Sequence, residues 1–283
     1  MTSSPQAKPS RRNELAVRAA SAGVLIPVVL LAVFLGPSSG AGHGGYTFLC
    51  LMAVGALVLG LEWGRMCEPR APRRIGAVVV LGVWAALLAG WLDHFSVAFV
   101  LLVFGAAGAG LFSRLIGSVA VDAAYGVLYI GWPCVVLIWL RMRPDGLGWT
   151  VMLFAIAWAA DICAYLLGSL LKGPRLWPRF SPNKTWSGFV GGLVAGVIAA
   201  VLVARWMDVG LTLRIALVVG FVAALATMGG DLWESALKRR FGVKDAGDLI
   251  PGHGGLLDRV DGMMFAVVAL AASRVLVQGL ELA

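Results

Sequence analysis

The sequence predicts an all-α fold: a polytopic membrane helix bundle of about nine transmembrane helices, with the N-terminus cytoplasmic and the C-terminus outside. Three observations lead there. Of the 283 residues, 60% are hydrophobic and only 13% charged, against roughly 25% charged in soluble domains, so a water-soluble fold of this size could not cover its apolar surface. The apolar residues come in continuous runs of about 20, the length a helix needs to cross the hydrocarbon, rather than in the alternation of a barrel strand. Lysines and arginines collect in every second loop, which sets the orientation of the spans.

Residues 1–16 read as a basic cytoplasmic tail and 17–283 as one integral membrane domain. The first run, "AASAGVLIPVVLLAVFLG", follows Lys8, Arg11, Arg12 and Arg18. It is long, has no strong cleavage pattern and is followed by further apolar runs, so it reads as a first span over 17–35 rather than a removed signal. Spans at 46–63, 75–92, 95–112 and 119–140 complete a run of scaffold helices, 17–140. Further spans follow at 148–171, 186–206, 213–233 and 261–280.

With the N-terminus inside, the cytoplasmic loops hold most of the 23 basic residues. Arg65, Arg70, Arg73 and Arg74 follow the second span and Arg114 the fourth. Lys172, Arg175, Arg179 and Lys184 follow the sixth. Lys238, Arg239, Arg240, Lys244 and Arg259 follow the eighth. Trp63, Trp91, Trp139, Trp149, Trp177, Trp186, Trp206 and Trp233 fall near span ends, where indoles favour the interface. These loops account for the net charge of +8 without a nucleic-acid partner. Cys50, Cys67, Cys134 and Cys163 are scattered, with no spacing for zinc or a disulfide framework.

The ionisable residues of the second half are gathered in two segments that face the same side. Asp231 ends the eighth span, and Asp258 and Asp261, three apart, share a helical face at the start of the ninth. Hard carboxylate oxygens at a membrane boundary suit Mg²⁺, which binds through few carboxylates plus water and substrate phosphates. Ordinary ion pairing is the alternative, including Glu234 with Lys238 at i,i+4. Asp161 lies well inside the sixth span, where a carboxylate costs about 3 kcal/mol on insertion scales and usually serves a polar site; a hydrogen-bonded structural role is the alternative. Ser181, Asn183, Lys184 and Thr185 precede the seventh span, whose N-terminal amides form an anion site. "PGHGG" (251–255) is a glycine-rich turn able to form an amide nest, with His253 either shaping the turn or touching substrate. Lys238, Arg239, Lys244 and Arg259 add positive charge, either for phosphate or as positive-inside anchors. Metal-type carboxylates and phosphate-type donors on one membrane face suggest nucleotide chemistry on a membrane-held phosphate.

The segment "SALKRRFGVKDAGDLIPGHGGLLDRVDG" resembles the signature of the phosphatidate cytidylyltransferase (CDP-diacylglycerol synthase) family. Ser235, Lys238, Arg239, Lys244, Asp245, 251–255, Asp258, Arg259 and Asp261 carry the match. "GDLWES", "SPNKTW" and "DICAYLLG" resemble further family segments in order, so that about residues 150–265 are covered firmly. Ser187, where the family commonly has Glu, and Cys163, near which it has a small Gly, depart from the pattern. The resemblance implies transfer of CMP from CTP to phosphatidic acid, giving CDP-diacylglycerol and pyrophosphate, and makes 148–280 the catalytic half. It implies Mg²⁺, and allows a second, monovalent cation and a homodimer. It also implies a bacterial-type inner (cell) membrane, with membrane lipids around the bundle, and the basic loops predict an active site on its cytoplasmic face. On this reading Lys238, Arg259, Asp258 and Asp261 are catalytic. Asp161, Ser181, Asn183, Lys184, Thr185, Ser235, Arg239, Lys244, His253, Gly254 and Gly255 bind substrate, and Asp231, Asp258 and Asp261 hold the metal. A CTP-dependent lipid kinase and a membrane transporter built around Asp161 are the rival readings.

Overall fold

The structure is a computed structural model of the chain, and it describes residues 23, 26–35, 45–178, 181–247 and 254–281. The expected tail, 1–16, lies outside the described residues, as does much of the first span, which is helical over 26–34 (α1). Eight helices follow: α2 (Tyr46–Cys67), α3 (Pro72–Trp91), α4 (Phe95–Leu115), α5 (Ala120–Met142), α6 (Gly146–Leu171), α7 (Trp186–Trp206), α8 (Leu213–Arg240) and α9 (Leu257–Glu281). All eight are long and apolar enough to cross a membrane. The chain is a polytopic membrane bundle, and the expected spans from the second onward each find their helix.

Among the described residues the one departure from all-helix is a short antiparallel hairpin between α6 and α7, β1 (Arg175–Trp177) with β2 (Ser181–Thr185), in register Arg175 to Thr185 and Trp177 to Ser181. Pro174, Pro178 and Pro182 forbid helix here, and Pro178 and Pro182 favour extended backbone at Trp177 and Ser181 before them. Lys172 ends α6 with a positive φ of 54°. The hairpin then returns the chain so that Trp186 N–H donates to Pro174 O at 3.0 Å. Thr185 caps α7, its Oγ1 accepting from Gly188 N–H at 3.2 Å, and Thr212 caps α8 by accepting from Ile215 N–H at 3.4 Å.

Small residues set the packing of α6, α7 and α8. Gly188, Gly192 and Gly196 form a stripe along α7 at four-residue spacing, the arrangement that lets membrane helices approach backbone to backbone. A Cβ on Gly188 would sit 2.6 Å from Ala164 O, and one on Gly192 2.8 Å from Ala160 O on α6 and 2.5 Å from Met228 Cε on α8. α9 packs mainly on α8 but also touches α2, α5 and α6, so it is the seam between the earlier and later helices.

The two ends of the bundle are tied separately. At one end, Arg240 Nη2 lies 2.5 Å from Asp122 Oδ1, and Leu256 N–H donates to Glu62 Oε1 at 2.9 Å. At the other, Arg143 pairs with Asp93 at 3.2 Å and Arg274 Nη2 donates to Pro144 O at 2.6 Å. Successive helices therefore alternate in direction. The tryptophans divide into two groups. Trp206 is 77% exposed, as an interface residue would be. Trp63 and Trp149 are instead buried. Trp63 Nε1 donates to Asp122 O at 3.0 Å, and its ring packs against Tyr125, Tyr129 and Phe241, so Trp63 belongs to the core rather than to an interfacial belt.

Candidate active site

A cavity of about 560 Å³ opens at the end of the bundle that carries the hairpin. Its wall is built from α6 (Asp161, Ala164, Tyr165, Gly168), the hairpin (Leu176, Ser181, Asn183, Lys184, Thr185), α7 (Gly188, Phe189), α8 (Met228, Asp231, Leu232) and α9 (Asp258, Arg259, Asp261). Carboxylates, cations and apolar side chains thus share one chamber.

The chamber exists because α8 and α9 carry polar residues at helical spacing on the faces they turn to each other. Asp231, Glu234 and Lys238 follow one another at three and four residues along α8, and Asp258 and Asp261 stand one turn apart on α9. Lys238 Nζ lies 2.6 Å from Glu234 Oε2 and 2.5 Å from Asp258 Oδ1, which joins the two helices. Asp258 Oδ2 also accepts from Ala246 N–H at 3.0 Å and Gly255 N–H at 2.9 Å. Lys184 from the hairpin pairs with Asp231. Asp261 is buried, accepts from Gly262 N–H at 2.7 Å, and lies within electrostatic reach of Asp231, Glu234 and Asp161. Negative charge is therefore concentrated on one side of the chamber, with Lys184 and Arg259 also on its wall.

Asp161, Ser181, Asn183, Lys184, Thr185, Asp231, Asp258, Arg259 and Asp261 meet at one cavity as expected from the sequence. Other expected site residues do not reach it. Lys238 stands behind Asp258, held between two carboxylates. Ser235 Oγ donates back to Asp231 O at 2.9 Å within its own helix. Arg239 Nη1 donates to Val243 O at 3.2 Å, closing the end of α8, and Lys244 is exposed outside the chamber. Gly254 adopts a φ of +80°, and Gly254 and Gly255 shape the turn around the Asp258 carboxylate. His253 lies outside the described residues. The start of α7 offers less to an anion than expected, because the Trp186 and Gly188 amides already donate to Pro174 and Thr185.

The three expected metal carboxylates converge on the chamber but do not form a cage. Among the described residues no three His, Cys, Asp or Glu groups come close enough to hold a metal ion by themselves. Asp258 is committed to Lys238 and two amides, and Asp231 to Lys184. The ion pairing of Glu234 with Lys238, weighed as an alternative, is present alongside the shared cavity.

One residue of this region escaped the sequence reading. Glu62, buried near the end of α2, accepts from Leu256 N–H at 2.9 Å and Leu257 N–H at 2.8 Å. Its signal was available: it is the single carboxylate in the apolar run "ALVLGLEWG", as conspicuous by its cost as Asp161.

A model of the cytidylyltransferase family matches residues 16–277. The chain belongs to the cytidylyltransferase family. The resemblance carried by the 234–262 segment is thereby borne out over most of the sequence. Among curated relatives, this cytidylyltransferase-family chain is 32% identical over 254 residues to the phosphatidate cytidylyltransferase of Staphylococcus saprophyticus, covering 87% of this chain and 95% of that protein. It is 44% identical over 152 residues to the phosphatidate cytidylyltransferase of Brucella suis, which is 52% of this chain and 54% of that one. The one from Staphylococcus aureus is 37% identical over 150 residues, 53% of this chain and 58% of that one. In the Brucella comparison, then, the chain spans about half the length of the relative it matches, whereas the S. saprophyticus comparison is nearly end to end.

Proposed function

We propose that the chain is a phosphatidate cytidylyltransferase that makes CDP-diacylglycerol and pyrophosphate from CTP and phosphatidic acid. The observation that carries this is the chamber: anionic and cationic side chains face one another in a cavity that also presents Tyr165, Phe189 and Leu232, in a membrane helix bundle of this family. A headgroup phosphate and a nucleotide need the polar wall, and the acyl chains of a lipid need the apolar one.

The reaction needs no dedicated base. A phosphate-monoester oxygen of phosphatidic acid is already ionised near neutral pH and attacks the α-phosphorus of CTP. The new P–O bond forms as the bond to the bridging oxygen breaks, and that oxygen leaves with pyrophosphate. The protein's part is positioning and electrostatic stabilisation. Lys184 and Arg259 lie where they would neutralise phosphate charge, and Asn183, Ser181 and Thr185 offer polar contacts along the hairpin. Lys238 acts at one remove, by fixing Asp258. The donor set fits Mg²⁺, which takes one or two carboxylates plus phosphate oxygens and water rather than an all-protein cage. Asp261, and Asp231 through the oxygen that Lys184 does not hold, would hold it, with Asp258, both of whose oxygens are taken, shaping the turn beside them. Mg²⁺ bound there would supply charge neutralisation on the triphosphate.

The excess of lysine and arginine in alternate loops supports a chamber on the cytoplasmic face of the cell membrane, with the N-terminus inside and the C-terminus outside. The deciding experiment uses purified protein, phosphatidic acid, Mg²⁺ and CTP labelled at either the α or the γ phosphate. Label entering the lipid from the α position, with one pyrophosphate released per lipid, is the expected result. Label from the γ position would make the protein a lipid kinase instead.

A further inference from the structure

Glu62 is 2% exposed in a helix that carries no other acidic residue. An uncompensated carboxylate in such a place costs several kcal/mol, so its hydrogen-bond partners show what it serves. They are the backbone amides of Leu256 and Leu257, at 2.9 and 2.8 Å, the groups that a helix start leaves without intrahelical acceptors. The preceding amide, Gly255, donates to Asp258 at 2.9 Å. Three consecutive N–H groups are thus taken by two carboxylates, one from α2 and one from α9 itself. The turn fits closely around Glu62. A Cβ on Gly247 would lie 3.0 Å from Glu62 Cγ and Oε1, and one on Gly255 2.8 Å from Glu62 Oε2. Glu62 does not line the chamber, so it touches no substrate there.

We propose that Glu62 is a positioning residue for the transfer proposed above. From α2 it holds the start of α9, and with it the Asp258 carboxylate, the Lys238 ammonium that Asp258 binds, and the adjoining Arg259 and Asp261 on the chamber wall. The inference rests on that functional reading for its catalytic part, and on geometry alone for its structural part.

The test uses the full-length protein in detergent and reads both parts. Hydrogen exchange followed by mass spectrometry should find the 255–257 amides protected in the wild type. Glu62→Gln keeps the size but turns an amide N–H₂ toward one of two backbone donors, so exchange there should rise about tenfold or more, with α3 and α4 unchanged. In the CTP assay, Glu62→Gln should lower kcat by about 10- to 100-fold, the range seen when a supporting hydrogen bond is lost, with KM for CTP nearly constant. Glu62→Asp, which restores the carboxylate, should recover part of that loss. Gly247→Ala should mimic the defect in the wild type and add little to Glu62→Gln, because both disturb one contact. Exchange at 256–257 in the wild type as fast as at exposed Lys244, or a Glu62→Gln variant with normal kcat, would overturn the proposal. So would Gly247→Ala and Glu62→Gln losses that simply multiply. A wild type that protects 255–257 but transfers no CMP would instead sink the functional reading and leave the clamp standing.

Discussion

At the scale of single residues, the site separates carboxylates that face the chamber from one that holds its frame. Asp161 lines the cavity from inside α6, and keeping a carboxylate at that depth costs about 3 kcal/mol on insertion scales. Asp161→Asn should therefore insert and purify normally yet lose about 10²- to 10³-fold in turnover, the scale for removing a preorganised electrostatic group; near-normal rates would return Asp161 to a structural role. Asp258 should behave differently from Asp231 and Asp261. Its oxygens already accept from Lys238, Ala246 and Gly255. Asp258→Ala should abolish activity at every Mg²⁺ concentration, whereas Asp231→Ala should be partly rescued by high Mg²⁺. Equal rescue of both in a Mg²⁺ titration would mean that they share one function. Much of this constellation was legible in the sequence, because Asp, Lys and Gly are conspicuous between apolar runs. What was not legible is which acceptor each donor finds. Ser235 and Arg239 carry the right chemistry at the right spacing, but each satisfies backbone of its own segment.

At the scale of elements, hydropathy located the spans well and their polar ends poorly. α8 was expected to stop at 233 but runs to Arg240, and α9 was expected from 261 but starts at Leu257. The added turns carry Glu234, Lys238 and Asp258, which a hydropathy window reads as loop although they remain helical by pairing with each other. The hairpin was missed for a related reason: three prolines exclude helix, but only pairing with a second segment turns extended chain into a strand. The glycine stripe of α7 sets how closely α6 and α8 enclose the chamber. Gly192→Val would drive a branched side chain into Ala160 O and the Met228 side chain. Overpacking of this kind costs about 1–3 kcal/mol. Thermal unfolding followed by tryptophan fluorescence should show a lower midpoint, and CTP turnover should fall with it. An unchanged midpoint would mean that the helices separate without penalty.

At the scale of the whole molecule, the alternation of basic loops makes a prediction about sides. In a cysteine-free background, cysteines at Ser181 and at the exposed Lys244 should react only with reagent that reaches the cytoplasm. Labelling of both positions from outside intact cells would invert the bundle. The contact between Glu62 and Leu256 spans 194 residues of sequence, and a single sequence gives no sign of such a pairing. It also has a consequence for biosynthesis. Helices enter the membrane in the order they leave the ribosome, so Glu62 is inserted before α9 arrives with the amides of Leu256 and Leu257 that it holds and with the Asp258, Arg259 and Asp261 side chains of the chamber wall. Until then the nascent chain has a buried carboxylate, Glu62, without its final partners, and no complete chamber. A chain stalled before residue 256 should therefore be inert and short-lived in the membrane, and the arrival of α9 would be the step that commits the protein to persist.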